Sequence, residues 1–145
     1  IDDLAKGSFQ PVLDDPDAKT KKNIKTVIVC QGKIYYELKN KIAELGSKDT
    51  AVVRIEQLYP TPTDELEKVL ATYPNRERLV WAQEEPENMG ALPYMMRALS
   101  QFNFDEFIGK GASASPASGS SKRDALRQQT VLRKVFKLEK EAVIN

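Results

Sequence analysis

Apolar and polar residues alternate along the chain in two kinds of block. The runs at residues 24–30, 50–55 and 79–83 are short, mostly apolar and rich in β-branched residues, which is typical of buried strands. A weaker run at residues 106–108 predicts a short fourth strand. The longer runs between them have helical spacing, so the chain is expected to alternate strands with helices.

The first helix is predicted over residues 32–45, with Gly46 placed where a C-cap belongs. Its apolar positions are Tyr35, Leu38, Ile42 and Leu45.

Three further helices are predicted. Thr63 is expected to cap the second, whose first turn carries Asp64 and Glu65, two charges that complement the helix dipole. Residues 91–101 and 122–140 predict the third and fourth. The apolar positions of the second and fourth helices are Leu66, Val69, Leu70, Tyr73, Leu126, Val131, Leu132, Val135 and Phe136.

Strands that alternate with helices favour the α/β class, with a mostly parallel sheet between helices on both faces. Residues 1–23 contain Gly7, Pro11, Pro16 and a run of charges, and they predict an extended lead-in or linker. The chain is therefore divided into this lead-in and one domain over residues 24–145.

The composition indicates a soluble globular protein, since 41% of the 145 residues are hydrophobic and 30% are charged. A net charge of +1 provides no overall field for nucleic acid or an anionic membrane, so neither is expected as a partner. The chain has no histidine, which excludes Ser/His/Asp and Cys/His catalysis and His-ligated zinc within it.

Three segments lie where a predicted strand gives way to turn-forming and charged residues. They are residues 30–33 (CQGK), 54–60 (RIEQLYP) and 81–90 (WAQEEPENMG). Because the carboxyl ends of parallel strands meet at one edge of a sheet, the three segments predict one functional edge.

Two of these segments contain residues with catalytic chemistry. Glu84 and Glu85 have the chemistry of general acid/base carboxylates, but a solvated turn or a contact with a neighbouring domain is the favoured interpretation. Cys30 ends a buried strand, and a small core residue is favoured there over a nucleophile.

Possible contacts for an anion or effector are Lys33, Arg54, Ser120, Lys122 and Arg123. The glycine-rich phosphate-loop patterns are missing, so Lys33 alone is weak evidence. Lys122 and Arg123 at a helix start oppose the dipole unless an anion faces them, and a glutamate of the same protein is favoured over a phosphate-bearing effector. Arg54 is likewise favoured as an ion-pair partner.

Together with residues 113–120 (SASPASGS), the motifs CQGKIYY, RIEQLYP and QEEPENMGA occur in an order that resembles the C-terminal domain of the 2-oxoglutarate dehydrogenase E1 family. The family has 2-oxoadipate-specific members that share these motifs. The resemblance runs from about residue 3 to residue 136.

The resemblance implies a transketolase C-terminal-like, three-layer α/β/α domain, whose sheet of about five strands is mostly parallel with one antiparallel edge strand. It implies a parent enzyme that uses thiamine diphosphate and Mg²⁺, bound by upstream domains, and that passes a succinyl group to the E2 dihydrolipoyl succinyltransferase. This chain is then expected to be inactive alone, to complete a homodimer and to wall the active site. The residues expected at these contacts are Gln57, Leu58, Tyr59, Glu84, Glu85 and Asn88.

Three alternatives stay open at this point. One is a related E1 that acts on 2-oxoadipate, and another is a stand-alone module that binds a nucleotide, a phosphate or a protein. The third concerns the acetyl-CoA regulatory site of some actinobacterial members, which the motifs neither require nor exclude. A bacterial cytoplasm is the expected location, with the mitochondrial matrix as the alternative.

Overall fold

The computed structural model describes residues 10–56, 62–86, 96–97, 100–110 and 131–137. Five strands form one sheet in the order β1-β3-β2-β4-β5. The strands are β1 (Val12–Leu13), β2 (Thr26–Cys30), β3 (Thr50–Ile55), β4 (Arg78–Pro86) and β5 (Glu106–Lys110). The α/β class and the mostly parallel five-stranded sheet are therefore confirmed.

Strand β2 lies at the centre of the sheet and pairs in parallel with both neighbours. Val29 lies opposite Val53 of β3 on one side and Trp81 of β4 on the other. Strand β5 is parallel to β4, whereas β1 pairs antiparallel with β3. Strands β2, β3 and β4 contribute buried residues to both faces of the sheet, which accounts for their largely apolar runs in the sequence.

The first helix, α1, spans Ile34–Leu45 and begins two residues later than predicted. The difference arises at Gly32, whose φ of 85° forms a turn that a helix cannot contain. The helix ends as predicted at Gly46, whose φ is 66° and whose N–H bonds the carbonyl of Ala43.

The second helix, α2, spans Thr63–Ala71. The prediction that Thr63 caps it is wrong by one residue, because Thr63 is already helical and Pro62 is the N-cap. The Leu66 amide closes the first turn on the Pro62 carbonyl at 2.9 Å. Asp64 and Glu65 lie in the first turn as predicted.

Two buried clusters cover the two faces of the sheet, which gives the predicted three layers. Helix α2 packs on one cluster through Leu66 and Leu70. Helix α1 packs on the other through Ile34 and Leu38. The predicted apolar position Leu45 is wrong, since this side chain is 44% exposed.

Residues 131–136 are helical and complete the second cluster. Val131 and Val135 are buried, and Leu132 and Phe136 pack against them, as the spacing predicts. The predicted position Leu126 lies outside the described residues.

The predicted lead-in supplies the antiparallel edge strand. Val12 lies opposite Ile55 and is buried in the cluster beneath α2, and the Glu56 amide bonds the Pro11 carbonyl at 2.7 Å. Residues 12–13 therefore belong to the sheet, although they precede residue 24, where the domain was expected to begin.

Of the helix predicted over residues 91–101, only 96, 97, 100 and 101 are described: residues 96 and 97 are helical, and Ser100–Phe102 form a 3₁₀ turn. Within the described parts of the chain, no helix has the length and apolar character needed to cross a bilayer.

Candidate functional site: the carboxyl edge of the sheet

The three predicted strand-end segments meet at one edge. Cys30 lies opposite Arg54 on one side and Ala82 on the other, so the carboxyl ends of β3, β2 and β4 are in register. The predicted meeting of the three strand ends at one edge is therefore confirmed, and the charged residues Lys33, Arg54 and Glu84 lie at or just beyond these positions.

Lys33 lies on this edge at the N-cap of α1 and is exposed. The turn at Gly32 places it immediately after β2. Among the described residues, no side chain caps the start of α1.

Arg54 is held against two tyrosines of α1. Its guanidinium lies 5.0 Å from the ring of Tyr35 and 5.4 Å from the ring of Tyr36, and the two rings meet edge to face. It donates a hydrogen bond of 3.4 Å to the Tyr36 hydroxyl and forms an ion pair with Glu56. The Tyr36 hydrogen bond raises the pKa of Arg54, so this cation stays charged.

Strand β4 continues past the predicted end at Gln83 and carries Glu84 and Glu85 within it. The register with β5 shifts between the pairs Ala82↔Ile108 and Pro86↔Lys110. Three residues of β4 thus face one residue of β5, which is a bulge. The prediction of a turn at Glu84 is wrong, because the strand runs on through Pro86.

A buried hydrogen bond sets the start of this bulge. The indole N–H of Trp81 donates to Oε1 of Gln83 at 3.1 Å, and both side chains are nearly inaccessible to solvent. Glu84, the next residue, is partly exposed. Bulges locally change the direction in which a strand presents its side chains, and Glu84 and Glu85 lie within this one.

Cys30 is fully buried in the cluster beneath α1, as the core interpretation predicts. Burial raises the pKa of its thiol to about 12, a shift that Arg54 opposes and Glu56 reinforces. The thiolate needed for nucleophilic chemistry is therefore scarce at neutral pH.

We expect Cys30 to react with Ellman's reagent at least about 100-fold more slowly in the native protein at pH 8 than in urea, because the thiol is both buried and protonated. The same protein in urea is the control. Native labelling as fast as that of the denatured chain would contradict the buried assignment.

The structure describes three of the predicted site residues with their side chains, namely Lys33, Arg54 and Glu84. The side chain of Glu85 lies outside the described residues, as do Gln57, Leu58, Tyr59, Asn88, Ser120, Lys122 and Arg123. Among the side chains that are described, no group of three metal-ligating residues forms a metal site.

The sequence analysis named Tyr36 only within the motif CQGKIYY and did not place it at the edge. The structure leaves it 56% exposed and bonded to Arg54. An aromatic pair, Tyr35-Tyr36, in the first turn after a strand end is the pattern that could have indicated an arginine platform there.

A family model described as "2-oxoglutarate dehydrogenase C-terminal" matches residues 1–136. The chain is 42% identical over 143 residues to the 2-oxoglutarate dehydrogenase E1 component of Azotobacter vinelandii, covering 94% of the chain and 15% of that protein. It is 39% identical over 145 residues to the multifunctional 2-oxoglutarate metabolism enzyme of Mycobacterium sp. (strain KMS), covering 94% of the chain and 11% of that protein. The chain thus spans under one sixth of the length of these relatives.

The solved structure of a chain titled "Split gene transketolase, inactive beta4 tetramer" has a TM-score of 0.58 to this fold at 16% identity. The match covers 91% of this chain and 45% of that one. It supports the transketolase-like arrangement of the sheet, and at this identity it concerns the fold alone.

Proposed function

Since the chain belongs to the 2-oxoglutarate dehydrogenase C-terminal family, we propose that it is the structural, dimer-completing domain of a thiamine diphosphate-dependent 2-oxoglutarate dehydrogenase E1. The parent enzyme decarboxylates 2-oxoglutarate and transfers the succinyl group to E2 lipoyl groups. The domain packs beside an upstream domain and is inactive alone.

The observation that carries the proposal is the joining of three strand ends at one edge. Lys33, Arg54 and Glu84 lie at or just beyond these strand ends in three separate segments, and Glu84 and Glu85 fall within the bulge of β4. A rigid sheet that presents charges and exposed tyrosine at one edge supports a contact surface, because arginine and tyrosine are the side chains that interfaces favour.

Thiamine diphosphate and Mg²⁺ do not fit the residues described. A Mg²⁺ site needs several oxygen ligands, and the described acidic residues form no such group. The chain also has no histidine for proton transfer. We therefore assign the cofactor to the upstream domains of the parent protein and derive no catalytic step for this chain.

The proposed partners are the upstream domains of the same E1 chain, a second E1 subunit and the E2 dihydrolipoyl succinyltransferase. A bacterial cytoplasm is the proposed location, supported by bacterial relatives such as the Azotobacter protein. The 2-oxoglutarate substrate is preferred to 2-oxoadipate because the relatives described above carry 2-oxoglutarate in their names.

Replacing Glu84 and Glu85 together by alanine in the full-length enzyme is expected to lower turnover, or to raise the dimer dissociation constant, by about tenfold, equivalent to about 1.4 kcal/mol. The reason is the loss of two charges at the edge proposed to contact the neighbouring domain. Turnover is measured with 2-oxoglutarate, and dimer dissociation by sedimentation velocity over a dilution series.

The matched control is the pair Glu44→Ala and Glu77→Ala. Both side chains are more than 65% exposed and lie toward the opposite, amino edge, where each forms a long ion pair of 3.4 Å. This variant changes the net charge by the same amount and should leave both quantities within about twofold. Unchanged turnover and an unchanged dissociation constant in the Glu84/Glu85 variant would sink the proposed role.

A further inference from the structure

On the side of β3 that faces away from β2, only a very short strand pairs with it. Strand β1 contributes only two residues, opposite Ile55 and Arg54. Residues 10–17, which include β1, are called the strap from here on.

Beyond β1, where no strand pairs with this side of β3, a side-chain carboxylate accepts a backbone hydrogen bond that a paired strand would otherwise accept. Oδ2 of Asp15 accepts a hydrogen bond of 2.9 Å from the backbone N–H of Val52, in the buried part of β3. At the other end of the strap, the Glu56 amide bonds the Pro11 carbonyl. Val52 and Glu56 are four residues apart along β3, so their backbone N–H groups point to the same side of the strand. This is the side on which another strand would pair.

The two adjacent aspartates reach the helical layers on opposite faces. Asp15, only 5% exposed, accepts a hydrogen bond of 2.6 Å from Nζ of Lys39 on α1. Asp14 accepts a hydrogen bond from the hydroxyl of Tyr73, just past the end of α2, and forms an ion pair with Lys21. Successive residues of an extended chain point to opposite faces, and this places one carboxylate on each.

The contacts of the strap with β3, Lys39 and Tyr73 resemble those of a peptide in a binding site, except that the peptide here is a segment of the same chain. Main-chain bonds run along a sheet edge, Val12 fills an apolar position, and Lys39 and Tyr73 recognise two acidic side chains. Strand addition to an exposed edge uses the same combination, in which backbone bonds give affinity and side-chain pockets give specificity.

We propose that the β3 edge with Lys39 and Tyr73 is a strand-binding site for an extended segment with two apolar residues followed by two aspartates, occupied in cis by the strap. The strap opens as a unit while the rest of the sheet stays folded. The partner that fits the opened site is the strap of a second copy of this chain. Tethering gives the cis strap an effective concentration in the millimolar range, so it excludes competitors until its aspartates are removed.

The first test is amide hydrogen exchange on the intact protein carrying Asp14→Ala and Asp15→Ala. Amides in residues 12–18, together with those of Val52 and Glu56, should exchange at least about tenfold faster, while amides of β2 and β4 keep their rates. The control is Asp17→Ala, because Asp17 also pairs with Lys39 at 2.7 Å but its side chain is 73% exposed. It should leave the β3 edge amides within about twofold.

The second test supplies the strap in trans as a fluorescent peptide of residues 10–19. Anisotropy should show at least tenfold tighter binding to the Asp14/Asp15 variant than to the unaltered protein, and the peptide with Asp15→Ala should lose at least tenfold. If the double variant does not fold, Asp15→Asn replaces it, since the amide oxygen still accepts from Val52 while the ion pair with Lys39 is lost.

Three results would overturn the proposal. Exchange that is unchanged in the variant means that the aspartates do not hold the strap. Exchange that accelerates equally across β2, β3 and β4 means that the strap is a cooperative part of the fold. An opened edge that fails to bind the peptide means that the edge is no strand-binding site.

Discussion

Replacing Arg78 by methionine is expected to lower the free energy of unfolding by about 2–3 kcal/mol. Arg78 begins β4, and its side chain is 15% exposed. Its Nε donates to Glu106 of β5 at 2.6 Å, and its Nη atoms donate to the carbonyls of Val135 and Lys134 at the end of the helix that includes residues 131–136. One guanidinium thus joins two strands and this helix.

The expected cost has two parts. The last carbonyls of a helix have no partner within it, and a cation there also complements the dipole. Glu106 would lose its partner, but its side chain is 37% exposed and can be solvated, so the cost stays below that of a fully buried pair. Chemical denaturation of the intact protein, with the midpoint and slope fitted together, measures the change.

Two variants separate these parts. Arg76→Met removes a guanidinium that donates to the carbonyls of Leu70 and Tyr73 at the end of α2 but has no carboxylate partner among the described residues, so about 1 kcal/mol is expected. Lys25→Met removes an exposed ion pair with Glu77 and should cost less than about 0.5 kcal/mol. An equal loss of unfolding free energy in all three variants would show that the contacts of Arg78 with Glu106 and the helix carbonyls have no special role.

Local patterns predicted β2, β3, α1 and α2 closely, β4 and β5 in part, and the edge where the strand ends meet. Runs of β-branched residues fixed β2 and β3 to within two residues, since both faces of these strands are buried. Gly46 marked the end of α1 because a left-handed residue there suits glycine.

Strand β1 could not be predicted, because two apolar residues between Pro11 and Asp14 carry no periodicity. Its stability comes from pairing with β3 and from the hydrogen bond between the adjacent Asp15 and Val52 of β3, and the β3 partners lie more than thirty residues away in sequence. Local propensity contains no information about such contacts, and here tertiary structure decides the strand.

The sequence predicted where the site lies in the fold, but not how its side chains contact one another. Parallel topology brings Cys30, Arg54 and Ala82 together once the strands are known. The stacking of Arg54 on Tyr35 and Tyr36 depends on the position of α1 over β3 and on the side-chain conformations, which local sequence patterns do not define. The extra residues of β4 likewise depend on its register with β5, which only the paired strand defines.

Stability is expected to fall as pH rises above about 9, by on the order of 4 kcal/mol at pH 11, because three groups have raised pKa values in the folded state. Burial raises the pKa of Cys30 from 9.0 to about 12. Burial and the hydrogen bond to Asp14 raise the pKa of Tyr73 above 10.0. Burial lowers the pKa of Lys39, but hydrogen bonds to Asp15 and Asp17 outweigh it and raise the pKa above 10.5.

The sign is the same for all three groups, since each holds its proton more tightly when folded. Their contribution is complete below the unfolded pKa of each group and is lost as pH rises toward the folded one, at about 1.4 kcal/mol per pH unit per group. Cys30→Ala should move the start of the decline from about pH 9 to about pH 10, where Tyr73 takes over. Tyr73→Phe should keep the start and reduce the slope above pH 10. Urea unfolding at half-unit steps from pH 8 to pH 11 measures both, and a decline that starts at pH 9 in the Cys30→Ala variant would contradict the assignment to the buried thiol.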